Sequence, residues 1–206
     1  MGFLASAVAP NANAAPLIVI LLIVPQVVLG GALIPIPSSV STPISTRWAF
    51  EALTSISGAG SDVAADACWA LPEGVRDAMS LEDKTTQGCR CMGVNALHQA
   101  SCDFPGLGSF YDPVIDQPRP SEATLDADTA TLQAAVADWE IQRNTVVGRA
   151  ESLIGRFHEN FNWAFVDKQD RQAFWSKIAT TWGAQGLIIA ILMGIVFASV
   201  SLKYRI

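Results

Sequence analysis

The chain has 206 residues, half of them hydrophobic and only 16% charged, and its mean hydropathy is +0.33. Thirteen Lys and Arg against nineteen Asp and Glu leave a net charge of −6. No basic stripe exists to neutralise phosphates, which excludes nucleic acid as a partner. The charge is also segregated. Pro37 to Trp182 hold all 19 acidic and 11 of the 13 basic residues, 11 − 19 = −8, whereas Leu17 to Ile36 and Gly183 to Leu202 carry none.

Residues 1–13 contain a turn signal, Pro10-Asn11-Ala12-Asn13, and no Lys or Arg. The apolar run that follows exceeds the roughly 7–15 residues of a leader's hydrophobic region, so 14–36 is predicted as a membrane span preceded by a cytoplasmic segment. Pro25 lies inside it, where neighbouring helices or water can satisfy the carbonyl that it frees. The run ends on Pro35 and Pro37, and 37–56 is predicted as an interfacial or re-entrant amphipathic helix. In that helix Arg47 and Glu51 share one face, spaced for a structural ion pair, while Trp48, Ala49, Ala52 and Leu53 turn to apolar surroundings.

The long segment 57–182 opens with a Gly-, Ala- and Asp-rich loop that includes a helical turn near 64–71. An irregular knob follows over 68–115, carrying Cys68, Cys89, Cys91 and Cys102. Cys89 and Cys91 are too close in sequence to bridge each other well, so each is expected to pair with Cys68 or with Cys102, in either order. A metal site built from these cysteines and His98 is the sharper alternative. It is disfavoured by the C-x-C spacing and by an oxidising compartment, and no metal is expected.

Asp116 to Pro120 reads as an extended linker, with Ser121 as N-cap of a long helix over 121–163. Its stripe is Leu132, Val136, Trp139, Val146, Ala150, Leu153 and Phe157, with Arg143 on the seam. About 40 residues would span of order 60 Å along a partner. Gly148 and Gly155 are candidate kinks. The aromatic and basic segment 164–182, continuing from Phe161 and Trp163, is predicted as an interfacial belt leading into a second span over 183–202. The tail 203–206 holds Lys203 and Arg205, which places it in the cytoplasm and puts 37–182 outside the cell membrane, where the cysteines can oxidise. The predicted fold class is therefore all-α membrane: two transmembrane helices flanking a re-entrant helix and a large extracytoplasmic loop.

No phosphate loop, H-E-x-x-H or G-x-S-x-G is present, and His98 and His158 have no evident partners in sequence, so the chain is not expected to be an enzyme.

The stretches PLIVILLIVPQVVLGGALIPIP and ISTRWAFEAL, together with the loop CRCMGVNALHQASCDFPGLGSFY, resemble the permease domain of type-2 ATP-binding cassette exporters. The likeness is to the white-type G-subfamily and its bacterial relatives that carry forkhead-associated modules. The resemblance covers the last third of such a transporter and implies that the chain is a C-terminal piece of it. It implies that 17–36 is a fifth helix, with Leu29 and Leu33 near an apolar extracellular gate, lining the path. It further implies a partner domain that binds ATP and Mg, the remaining transmembrane helices, a dimer of permease domains and contact with membrane lipid. A second reading is a two-span membrane protein whose extracytoplasmic loop is a recognition or assembly module.

Overall fold

The computed structural model of the chain describes residues 9, 13–30, 36, 38–121 and 128–203. Residues 1–8 and 10–12 of the first segment lie outside the described residues. So do 31–35 with Leu33, Pro37, residues 122–127 with Leu125, and Tyr204 and Arg205 of the tail. From the N-terminus the helices are α1 (Ala15–Leu29), α2 (Ser38–Ser41), α3 (Ser45–Ser57), α4 (Ser61–Ala64), α5 (Glu73–Ala78), α6 (Leu81–Thr86), α7 (Thr129–Phe161) and α8 (Arg171–Lys203). Short 3-10 turns occupy Ala67–Ala70, Gly93–Leu97, Leu107–Phe110, Pro113–Asp116 and Asn162–Ala164. No strand occurs among the described residues. Two compact units divide the chain, 1–57 with 169–206, and 58–168.

In the first unit α8 is long and apolar enough to cross a membrane over Arg171–Leu202. Its 33 residues rise about 50 Å against a hydrocarbon core of about 30 Å, so its polar first turns extend past the apolar stretch. One helix carries both the end of the predicted interfacial segment and the predicted span: Phe174, Trp175 and Trp182 ride on it ahead of the apolar run. α1 covers 15 residues, about 22 Å, and accommodates Pro16 in its first turn and Pro25 inside.

The second unit is the disulfide knob, and its core answers the pairing question. Cys68 joins Cys89 with Cα atoms 5.6 Å apart, and Cys91 joins Cys102 at 5.0 Å. Around them pack Val63, Trp69, Met92, Ala96, Leu97, Phe104, Leu107 and Ile115. The stretch 57–83, expected as a loop with one helical turn near 64–71, has that turn at Ala67–Ala70 and further one- and two-turn helices around it, two of the set being side-chain capped. Asp66 caps the turn at Ala67–Ala70, and Ser80 with Asp83 forms a reciprocal capping box on α6.

The long helix begins later than predicted, at Thr129, capped by Asp128 rather than Ser121. It runs unbroken through Gly148 and Gly155. Its buried face centres on Val147, Ala150 and Ile154, one position round from the predicted Val146 and Leu153, which are half-buried. The stripe is covered by the knob's own 3-10 turns, so α7 needs no long partner helix.

Phe157 and Phe165 pack edge-on to Phe104, at 5.7 and 6.2 Å between ring centres, and Phe161 leans on Phe157 at 5.8 Å. Of the residues predicted for a membrane belt, Phe165 packs partly buried against the core of the disulfide unit, and Phe161 lies at its edge beside the exposed Phe157. Gly60, at φ +77°, passes so close to the Phe165 ring that any side chain there would collide with it. Replacing Cys91 and Cys102 by Ser opens a loop of sequence separation 11 and is expected to lower stability by about 3 kcal/mol. Guanidinium unfolding followed by tryptophan fluorescence checks this; an unchanged midpoint would contradict it.

Candidate functional site

The first polar constellation lies where α3 meets the two apolar helices of its unit. Each of those helices has one amide in its apolar stretch, Gln26 on α1 and Gln185 on α8. The N-terminus of α3 satisfies both. Thr46 Oγ1 donates to the Gln26 carbonyl oxygen, the Ser45 hydroxyl approaches Gln26 Oε1 at 3.5 Å, and Gln185 Nε2 donates to the Ser45 carbonyl at 2.9 Å. The Thr46 bond goes to the Gln26 main chain, and it is Ser45 that meets both side-chain amides, sparing a polar atom of each the cost of being left unpaired. Gly30 ends α1 against this point, where a methyl group would overlap Thr46 Oγ1. Leu29, its predicted gate neighbour, is half-buried at the end of α1.

Further along α3 the predicted Arg47–Glu51 pair is replaced by another. Glu51, 5% exposed, forms its ion pair with Lys177 of α8, while Arg47 Nη1 donates to the Ser41 hydroxyl and its guanidinium lies 5.8 Å from the Trp48 ring centre. Helical spacing makes Arg47 reachable. The packing of α3 on α8 instead buries Glu51 beside the one basic residue of α8 between its two ends, and a buried carboxylate takes the partner that shares its desolvated seam. Because Ser45 meets Gln185 and Glu51 meets Lys177, α3 runs antiparallel to α8. Its N-terminus therefore reaches the apolar stretch of α8, and its C-terminal half lies beside the polar first turns.

The second constellation holds the knob. Asp66, 4% exposed, accepts three backbone N–H groups, from Cys68 at 2.9 Å, Arg90 at 2.9 Å and Cys91 at 2.7 Å. Asp66, Cys68 and Cys89 bring potential metal-ligand atoms together. The two sulfurs are spent on each other and the carboxylate on backbone donors, so the arrangement serves as a staple. Trp69 donates to the Cys91 carbonyl at 3.0 Å and lies between Arg76, 4.6 Å from its ring, and His158 at 5.2 Å. Lys84 bonds both oxygens of Glu151, at 2.9 and 2.7 Å, and the Gly93 amide adds a third donor to that carboxylate at 2.6 Å.

Both histidines have partners that sequence does not disclose. His98 Nε2 lies 2.8 Å from Asp116 Oδ1, and Tyr111 donates to Asp116 Oδ2 at 2.7 Å. The Tyr111 bond, helped by His98, holds the Asp116 carboxyl below the usual range, and the same bond raises the Tyr111 phenol. Burial, reinforced by Arg76, lowers the pKa of His158. No nucleophile completes a catalytic set around either histidine among the described residues.

Comparison with known proteins adds no relative. No family model, no curated protein and no solved structure matches the chain.

Two outcomes follow from these geometries. Reversing either charge, Glu51→Lys or Lys177→Glu, should lower the thermal midpoint of the detergent-solubilised chain by several degrees, and the double reversal should recover most of the loss. If the double variant is no better than the singles, the pair does not exist. A folded-state pKa below the ordinary 6.5 for His158 means that the unfolded chain takes up the proton first as pH falls. The stability this contributes is full above about pH 6.5 and is lost as pH drops through the folded value. His158→Gln should therefore flatten the dependence of the thermal midpoint on pH between about 7 and 5.

Proposed function

We propose that the chain is a membrane-spanning permease segment of an ATP-driven ABC exporter, contributing lining of the path and part of its external gate and cap. The observation that carries this reading is α3: a short amphipathic helix held by hydrogen bonds to two apolar helices, antiparallel to α8, with its N-terminus at the depth of Gln185. A helix in that position is what a re-entrant element between the fifth and sixth helices of such an exporter requires. On this reading α1 with the residues that follow it is the fifth crossing and α8 the sixth. The segment between them faces the extracytoplasmic side of the cell membrane, in keeping with two closed disulfides.

The chemistry of ATP hydrolysis would reside elsewhere. A partner domain would hold ATP and Mg, further transmembrane helices would complete the pathway, and permease domains would pair as a dimer. Leu29 would stand near the apolar gate, together with Leu33.

A second reading keeps the membrane anchors but assigns the function to residues 58–168 as an extracytoplasmic recognition or assembly module. The favouring observation is that this unit has its own disulfide-bonded core and open clefts.

One experiment separates the two. The protein carrying this chain, purified from source membranes in mild detergent and reconstituted in nanodiscs, should show vanadate-sensitive ATP hydrolysis if it is an exporter segment. Reconstituted protein with its disulfides intact and no ATPase would overturn the first reading in favour of the second.

A further inference from the structure

Between α6 and the N-terminal half of α7, within the disulfide unit, lies a half-open cleft of about 610 Å3. Its walls include Leu81, Thr85, Trp139, Arg143 and Asn144, with Arg119 at one side. The volume falls within the roughly 300–1,000 Å3 range of small-molecule sites.

Arg143 is the unusual member. Its guanidinium lies 4.8 Å from the Trp139 ring centre, and its Nε is buried with no acceptor among the described residues. Trp139 is fixed in turn by a bond from Nε1 to the Gln117 carbonyl at 3.1 Å, so the stack is a rigid platform. Two acids line the cleft, Glu82 and Glu140, and Glu82 stands on the α6 side, across from Arg143 on α7. Glu140 pairs with Arg119 at 3.1 Å, and Asp116, whose carboxylate is within reach of Arg143's charge, gives its two oxygens to Tyr111 and His98. A guanidinium over an indole ring, with no hydrogen-bonded acceptor among the described residues, can take a carboxylate end-on through its two terminal nitrogens.

The unit's overall charge narrows the ligand class. Residues 58–168 hold 8 basic and 17 acidic residues, 8 − 17 = −9. A small mineral anion meets this repulsion with no compensation. A ligand with an apolar body recovers it by covering Leu81 and the exposed edge of Trp139, and Thr85 and Asn144 supply polar contacts at the rim.

We propose that this cleft binds a small amphipathic carboxylate, with Arg143 taking the carboxylate and Leu81 and Trp139 the apolar body. The site goes beyond the transport reading and stands whether or not the chain belongs to an exporter.

Isothermal titration calorimetry on the full chain in nanodiscs tests it, with benzoate as probe and benzamide and inorganic phosphate as comparisons. Benzoate should bind saturably and one-to-one, at least tenfold tighter than benzamide, and phosphate should give no saturable heat. Arg143→Met keeps the apolar stem over Trp139 and should weaken benzoate at least tenfold. Leu81→Ser should weaken it severalfold without restoring phosphate binding. A second check is the thermal midpoint, which benzoate should raise in the parent and leave unmoved in Arg143→Met. Equal affinity for benzamide, undiminished benzoate binding by a folded Arg143→Met chain, or no saturable benzoate binding by the parent would each overturn the proposal.

Discussion

The carboxylate of Asp66 is the contact on which the disulfide unit depends. It is buried, and it takes the amide hydrogens of Cys68, Arg90 and Cys91. Those donors come from both arms of the knob, one beside the first disulfide and the others inside the C-x-C segment that links the two. Without the carboxylate three N–H groups would be buried unpaired, each costing about 1–3 kcal/mol. With it, Cys89 and Cys91 are held so that one sulfur points to Cys68 and the other to Cys102, and the Cys91 carbonyl is left free for the Trp69 indole. A carboxylate is suited to the task because its two oxygens accept several donors at once, which a hydroxyl or amide could not do in the same space.

From that staple the rest of the unit follows by packing. Trp69 presents its ring toward α7, where Gly155 leaves ordinary contact distance, and Arg76 and His158 close the ring from the sides. Lys84 reaches α7 at Glu151 and, with Gly93, satisfies a half-buried carboxylate three times. Removing Lys84 alone would leave that carboxylate stranded, a far larger penalty than the pair's own net stabilisation. Polar groups thus set the register between knob and helix, and Val147, Ala150 and Ile154 supply the apolar area that makes the register stable.

The apolar helices of the other unit obey the same rule. Gln26 and Gln185 are tolerable in apolar runs because Ser45 of α3 offers its hydroxyl to the first and its carbonyl to the second. Glu51 is tolerable because Lys177 accompanies it. These contacts give a short amphipathic helix a definite seat, and that seat motivates the transporter reading. The cleft at Arg143 follows the opposite logic. There a charged group lies over an aromatic ring with its Nε unpaired among the described residues, and the proposed carboxylate would supply the missing charge partner.

Much of this was legible in the residues alone. Hydropathy and charge segregation determined an all-helical chain with a long apolar C-terminal helix, because side chains that avoid water do so in any tertiary context. Cysteine spacing determined that Cys89 and Cys91 bond to other cysteines, since two cysteines with one residue between them are poorly placed to meet disulfide geometry. The 3.6-residue period determined that α7 exists, although its N-cap moved from Ser121 to Asp128 and its buried face turned by one position. The tertiary structure alone decided which cysteine takes which, that Glu51 chooses Lys177 over the nearer Arg47, that Phe165 packs against the disulfide core, and that His98 and Tyr111 share Asp116. Each of these is a competition between partners distant in sequence, settled by which pair can be desolvated together. Periodicity reports only which neighbours share a face, so it is silent about which face is finally covered, and by what.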